Sequence, residues 1–226
     1  MQTSVQRNNC TTKIALLAGA TGLVGREILH LLSRDPTIAE VRALVRRPLQ
    51  EQDKGPRVRE CIADFEVLQE HPEWFTTDLV FCALGTTISK AGSQAAFRKV
   101  DFEYPLMIAK LARTRGAKRF LFVSALGADP RSRFFYNRVK GELEKAVLAL
   151  GYFSVTIARP SLLLGDRHEH RFGEELAKQI FRMLPSPWRG VQASQVASAL
   201  VHAAHEEKPG VRILDNNGLR KHWVSE

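Results

Sequence analysis

This sequence is poor in everything that would staple, anchor or repeat a chain. Only three cysteines occur in 226 residues, Cys10, Cys61 and Cys82, and their spacing is unpaired. That excludes a disulfide-framed secreted domain. Cys61 and Cys82 lie inside apolar runs, where a thiol acts as a small hydrophobe, and the expected setting is a reducing cytoplasm. No stretch approaches the ~18 uninterrupted apolar residues of a membrane span, so no membrane association is expected. Residues 1–12, "MQTSVQRNNCTT", lack the apolar run of a signal peptide and read as a flexible polar tail. Internal repeats and low-complexity linkers are missing too, so residues 13–226 are expected to form a single domain. Acidic residues are outnumbered, 24 against 33 basic ones, for a net charge of +9. The basic residues are spread along the chain and fall in no recognisable DNA- or RNA-binding module, so nucleic acid is not the expected partner. His168 and His170 in "DRHEHRFGE" have no further Cys/His cluster to complete a tetrahedral set, and no metal site is expected. That polar loop reads better as part of a substrate lid over residues 160–190.

What the chain does have is alternation. "KIALLAG" (13–19) is a continuous apolar run ending in glycine, as a strand buried on both faces should be. Residues 26–35 then put Ile28, Leu31 and Leu32 on one helical stripe, with Pro36 beyond its end. Further strands are predicted over 41–45, 58–62, 78–84, 119–124, 153–159 and 211–214. Further helices are predicted over 102–116, 132–150, 173–184 and 194–207. Strand and helix in steady succession imply a Rossmann-type, doubly wound parallel sheet with helices on both faces, followed by the small lid.

The first strand-to-helix turn reads "AGATGLVGREIL" (18–29), with glycines at 19, 22 and 25. Gly19 suits the tight turn, Gly22 lets backbone approach a pyrophosphate, and Gly25 allows close helix–strand packing. Thr21, Leu23 and Val24 fill the loop between them and complete the phosphate cradle at the helix N-terminus. A dinucleotide site usually carries an acid at the end of the second strand, for the ribose 2′-hydroxyl of NAD. Here the strand ends "LVRRP", and Arg46 and Arg47 suit a 2′-phosphate, so NADP(H) is preferred over NAD(H). After the third strand, Asp64 and Phe65 are placed to hydrogen-bond the adenine amino group and flank its ring. After the fourth, Ala83, Leu84, Gly85 and Thr86 would pass beneath the adenine ribose.

In "FFYNRVKGELE", Tyr136 and Lys140 stand four apart and so share one helix face. A free phenol titrates near pKa ~10, too high for a good base at neutral pH. A neighbouring ammonium favours the phenolate, and a polar pair at the margin of an apolar stripe can face a cleft. Gly141, beside Lys140, would permit close approach of backbone or cofactor, although a tolerated helical glycine is the plainer reading.

Together these residues resemble the short-chain dehydrogenase/reductase superfamily, in its atypical, extended-like branch with a Gly-x-x-Gly-x-x-Gly loop. Residues 99–129 are similar to that branch's helix and strand before the catalytic serine, and "ARPSLLLGDR" (158–167) resembles its Arg-Pro element. More narrowly, "LGTT…KAG", "VSALGAD", "YNRVKGELE" and "RPSLLLGDRHEHRFGE" resemble the Tat-interacting-protein-like oxidoreductases, over nearly the whole chain after residue 12. The resemblance implies Ser124 as substrate orienter, Tyr136 as catalytic acid/base and Lys140 as its partner and ribose-binding group. Asp101 falls near a position where related members carry an active-site asparagine. Pro160, Ser161, Leu162 and Leu163 would lie along the nicotinamide. The implied activity is NADP(H)-dependent hydride transfer to or from a small carbonyl or alcohol. The alternative is an NADPH-binding sensor that acts through a protein partner, and oligomeric state stays open. A sugar-nucleotide epimerase is disfavoured, since residues 161–226 are too few for the usual substrate domain.

Overall fold

The computed structural model describes residues 12–164 and 190–221. Seven parallel strands form one sheet: β1 (Lys13–Ala18), β2 (Ile38–Val45), β3 (Val58–Ile62), β4 (Leu79–Cys82), β5 (Arg119–Val123), β6 (Ser154–Ala158) and β9 (Gly210–Leu214). Their order is β3-β2-β1-β4-β5-β6-β9. The two-residue strands β7 (Leu163–Leu164) and β8 (Val191–Gln192) pair separately, also in parallel. The chain winds outward from β1 to β3, then crosses back to start the other half at β4. That reversal opens a crevice beyond the C-terminal ends of β1 and β4, where open α/β sheets bind their ligands.

Both faces of the sheet are buried, and β1 shows how. Ala15 and Leu17 point into one core with Ile28, Leu29 and Leu32 of α1 (Leu23–Arg34) and Val196 and Leu200 of α6 (Ala193–His205). Leu16 and Ala18 point into the other, with Ile108 and Ala112 of α4 (Tyr104–Thr114) and Leu143 and Val147 of α5 (Phe135–Leu148). Strand periodicity of two thus converts one uninterrupted apolar run into two cores.

Three of the boundaries that differ from the sequence reading shape the site. Helix α1 starts at Leu23, because the glycine loop itself makes the first turn: the Gly22 N–H donates to the Gly19 carbonyl at 3.0 Å. Strand β2 starts at Ile38, where Asp35 ends the preceding turn by accepting the Ile38 N–H at 3.1 Å. The helix predicted from residue 102 begins instead at α3 (Gln94–Arg98), capped by the Ser93 side chain, after the short α2 (Ile88–Ala91). It widens to a π-turn over Lys99–Glu103 and resumes as α4. Pro105, one residue into α4, has no N–H to give to the carbonyl four residues back, that of Asp101, and the ladder shifts register there. The predicted helix over 173–184 and the loop at 166–174 lie outside the described residues, as does most of the expected 160–190 lid.

Candidate active site

The phosphate end of the crevice is defined by atoms that are missing. A Cβ on Gly25 would lie 1.9 Å from the Gly19 carbonyl oxygen, and one on Gly19 would lie 2.6 Å from the Ala83 carbonyl carbon. Gly19 also has φ of +89°, in the left-handed region that favours glycine. These contacts press β1, the loop and the start of α1 into one tight turn beside β4. Gly22 stands at the N-cap of α1 and offers no side chain to cap it. The first-turn N–H groups therefore face the crevice with the positive end of the helix dipole, which fits a pyrophosphate. Thr21 is exposed at the mouth, Leu23 is half-buried and Val24 belongs to the core.

Arg46 and Arg47 follow β2 and are both exposed, and neither ion-pairs with another described residue. Asp64 is exposed after β3, with one carboxylate oxygen accepting the Glu66 N–H at 3.1 Å. Phe65 differs from its expected pose: it is 4 % exposed and meets the Tyr104 ring edge-on at 5.4 Å, so its ring is core and not a free adenine platform. Tyr104 was not singled out by the sequence. Its hydroxyl donates to Glu66 at 2.5 Å, and Lys99 pairs with the same oxygen.

Farther along the crevice the site is made of buried charge. Ala83 to Thr86 continue from β4, and the Thr86 N–H donates to Asp101 Oδ2 at 2.9 Å. Asp101 Oδ1 lies 2.7 Å from Lys140 Nζ, with both side chains almost fully buried. A Cβ on Gly85 would sit 3.5 Å from that oxygen and 3.9 Å from Nζ, so backbone roofs the pair. Burial pulls the Lys140 ammonium down, but Asp101 and Tyr136 outweigh it and hold the group above its ordinary value, charged. Tyr136, one turn earlier on α5, is 37 % exposed, and its ring packs on Phe97 at 5.5 Å. Lys140 and Leu143 therefore lie deeper than the margin of the apolar stripe. Gly141 proves to be a contact, since a Cβ there would come within 2.3 Å of the backbone of Asp129 and Pro130. The β5–α5 loop crosses α5 at that point.

Ser124 is 3 % exposed, and its hydroxyl donates to Glu144 Oε1 at 2.5 Å. Arg159 grips the same carboxylate with two bonds, Nε at 3.0 Å to Oε1 and Nη2 at 2.5 Å to Oε2. Glu144 is eight residues beyond Tyr136, about 12 Å along the helix axis. The serine hydroxyl thus holds the middle of α5 to the ends of β5 and β6. Tyr136, Lys140 and Glu144 form a series at intervals of four on one helix, and the spacing that marks the first two residues extends to the third. Beyond β6, Pro160 is buried and its carbonyl accepts the Leu126 N–H at 2.8 Å. Ser161 is held twice by Asn216 of α7 (Asn216–Lys221), through its N–H at 3.0 Å and its hydroxyl at 2.8 Å. Leu162 is exposed and Leu163 half-buried, on the short ribbon that β7 makes with β8. Among the described residues no group of His, Cys, Asp and Glu side chains could hold a metal ion.

A seven-stranded parallel sheet with a glycine-lined turn at its switch point is the architecture of a Rossmann-type dinucleotide-binding domain. A family model described as NAD(P)H-binding matches residues 19–207, and the chain belongs to that family. Within it, the chain is 37 % identical to the protein HTATIP2 of Rattus norvegicus, over 83 % of this chain and 78 % of that one. It is 36 % identical to the mitochondrial protein FMP52 of Eremothecium gossypii, over 89 % and 93 % of the two chains. These relatives agree with the Tat-interacting-protein-like resemblance.

Solved structures share the fold at lower identity. Helicobacter pylori ADP-L-glycero-D-manno-heptose-6-epimerase superposes with a TM-score of 0.70 at 17 % identity, covering 93 % of this chain and 80 % of that one. MoeE5 in complex with UDP-glucose and NAD gives 0.69 at 18 %, covering 89 % and 74 %. No helix among the described residues is long and apolar enough to cross a membrane. The expected cytoplasmic location gains nothing from these relatives, since the fungal ones are mitochondrial by name.

Proposed function

We propose that this protein is an NADP(H)-dependent oxidoreductase that transfers hydride to or from a small carbonyl or alcohol. The observation that carries this reading is Lys140, charged, buried and roofed by the Gly85 backbone, one helical turn from the half-open Tyr136. When bound, the cofactor supplies or accepts the hydride, and this chain's residues do the rest. The glycine loop and the open first turn of α1 bind the pyrophosphate, and Ala83 to Thr86 line the ribose. Arg46 and Arg47, free of carboxylate partners among the described residues, bind a 2′-phosphate and exclude no solvent in doing so. Lys140 anchors the nicotinamide ribose and stabilises negative charge on the Tyr136 oxygen. Tyr136 moves the proton between its hydroxyl and the substrate oxygen. Pro160 to Leu163 run along the nicotinamide, positioned by Asn216. With its hydroxyl given to Glu144, Ser124 serves by fixing α5, and through it Lys140 and Tyr136, against the sheet.

The Tyr136→Phe variant tests the reading. Carbonyl reduction should fall by about 10²–10⁴-fold while NADPH affinity, followed by cofactor fluorescence, stays within a factor of about two. The commitment of Ser124 to Glu144 leaves Tyr136 without a second hydroxyl partner and favours, as a second reading, an NADPH sensor acting through a protein partner. A sensor would keep its partner response in Tyr136→Phe and show no turnover in the parent. For cofactor choice, NADPH should bind at least ~10-fold more tightly than NADH, and Arg46→Ala should remove most of that difference. Equal affinities in the parent would end the 2′-phosphate argument.

A further inference from the structure

The Asp101–Lys140 pair is an unusual thing to place beside a tyrosine that must give up a proton. Asp101 is fully buried, and its two oxygens are divided between two elements. Oδ2 takes the Thr86 N–H from the loop after β4, and Oδ1 faces Lys140 Nζ across 2.7 Å. At that distance the hold on Lys140 is chiefly that of charge on charge. The carboxylate reaches this position because the π-turn over Lys99–Glu103 re-aims it between two regular helices. The charged and titratable groups facing Lys140 are Asp101 from the π-turn, Cys82 from β4 and Tyr136 from its own helix. The acids that follow on α5 are already neutralised, Glu142 by Arg98 and Glu144 by Arg159.

We propose that Asp101 is the counter-ion of the active-site lysine, and that this buried pair favours the proton-donating form of Tyr136. The reasoning is one of charge count. A lone Lys140 would give the buried site a net positive charge and draw the phenol toward phenolate. With Asp101 beside it the pair is neutral, and a phenolate forming next to it meets a dipole instead of a full cation. Removing one buried negative charge must lower the proton affinity of everything around it, whichever of Lys140 or Tyr136 then loses its proton first. Asp101 also joins the ribose-lining loop to the lysine, so cofactor contact at Thr86 and charge at Lys140 are mechanically connected. Asp101 is thus a positioning and charge-setting residue, while Tyr136 touches the reacting oxygen. The inference rests on the proposed acid/base role of Tyr136 but is testable without a substrate.

The chain has three tyrosines, which makes the test direct. Burial pushes the Tyr104 and Tyr152 phenols well above the ordinary range, and the tyrosinate step of Tyr136 in an ultraviolet alkaline titration is assigned by difference from Tyr136→Phe. Loss of that step in Tyr136→Phe secures the assignment. In Asp101→Asn, with native structure verified by circular dichroism at each pH, the first deprotonation of the cluster should move down by about one pH unit or more. The tyrosinate step records it if Tyr136 loses the proton, and the ¹³Cε shift of Lys140 in lysine-labelled protein records it if the ammonium does. No movement in either signal, in a folded variant, overturns the proposal. Should Asp101→Asn not fold, a denaturant double-mutant cycle with Lys140→Met decides. The proposal expects coupling of at least ~10-fold in the unfolding equilibrium, and coupling under twofold overturns it. If the parent neither binds NADPH nor reduces carbonyls, the enzyme reading fails while the charge pairing is judged separately by these titrations.

Discussion

Around the ends of β1 and β4 the crevice is shaped by side chains that are missing, whereas around α5 it is shaped by charged side chains that are buried. In the first region Gly19 and Gly25 remove the atoms that would hold loop, helix and strand apart, and backbone alone lines the turn. In the second, Lys140 is neutralised by Asp101 and Glu144 by Arg159, two ion pairs four residues apart on one helix. A cradle for phosphate needs only N–H groups and space, which many sequences can supply. Proton transfer needs an ionisable group with a set charge environment, and only partners brought in from other elements can set it. The first region should therefore fail sterically, all at once, and the second by degrees.

The largest effect expected is that of Gly25→Ala. With its Cβ 1.9 Å from the Gly19 oxygen, the strand–loop–helix unit must open, at a cost of at least ~3 kcal/mol in denaturant unfolding, together with loss of NADPH binding. Gly92→Ala is its control: φ is +79° there, but nothing lies within 4 Å of the added Cβ. Conformational strain alone should cost about 1 kcal/mol, and a cost equal to that of Gly25→Ala would erase the steric argument.

Next comes Arg159→Met, which leaves Glu144 buried beside Ser124 without its cation. A loss of about 2–4 kcal/mol is expected, partly recovered in Arg159→Met/Glu144→Gln. Ser124→Ala should then lose ~1.5–3 kcal/mol, the cost of a buried hydroxyl's bond to a carboxylate. A Ser124→Ala protein of unchanged stability but greatly reduced turnover would return that serine to substrate orientation.

The smallest effect is one of pH. Burial pushes the Cys61 and Cys82 thiols from about 9 up to about 11, and the Asp101–Lys140 pair holds the lysine proton more tightly in the fold. Groups that bind protons more tightly when folded contribute their stability fully below their unfolded pKa and lose it as pH rises toward the folded value. The denaturation midpoint should thus be flat near neutrality and fall between pH 9 and 11, by on the order of 1 kcal/mol or more. A profile that rises across that window would contradict the burial of these groups. Native thiol labelling at pH 8 should likewise spare Cys61 and Cys82.

Much of the first region was legible in the sequence, and the reason is local. A buried strand, three glycines and an amphipathic helix follow one another, so the spacing of residues 13–32 already states the turn. Strand alternation likewise predicted the parallel sheet, because "KIALLAG" can be buried on both sides only with helices above and below it. The later strand at Val211–Leu214 could be seen as a strand but not as the partner of β6 at the sheet edge. Phe65, expected to flank an adenine ring, opens the 3₁₀ turn Phe65–Glu70 after β3, and its ring packs in the core against Tyr104.

The second region was legible only as far as one helix could carry it. Tyr136 and Lys140 are four residues apart in the chain, and their adjacency follows from the helix alone. That Lys140 is buried, and that Asp101 is its partner, depends on a π-turn 39 positions earlier and on the loop after β4 that covers the pair. Glu144 meets Ser124 and Arg159 only because β5 and β6 lie side by side beneath α5. The sequence by itself thus determined most of the described strands and helices, the glycine turn after β1 and the adjacency of Tyr136 and Lys140 on one helix. Tertiary structure alone decided the charge around them, because Coulomb interactions depend on distance and burial, and neither is written in the spacing of residues from different elements.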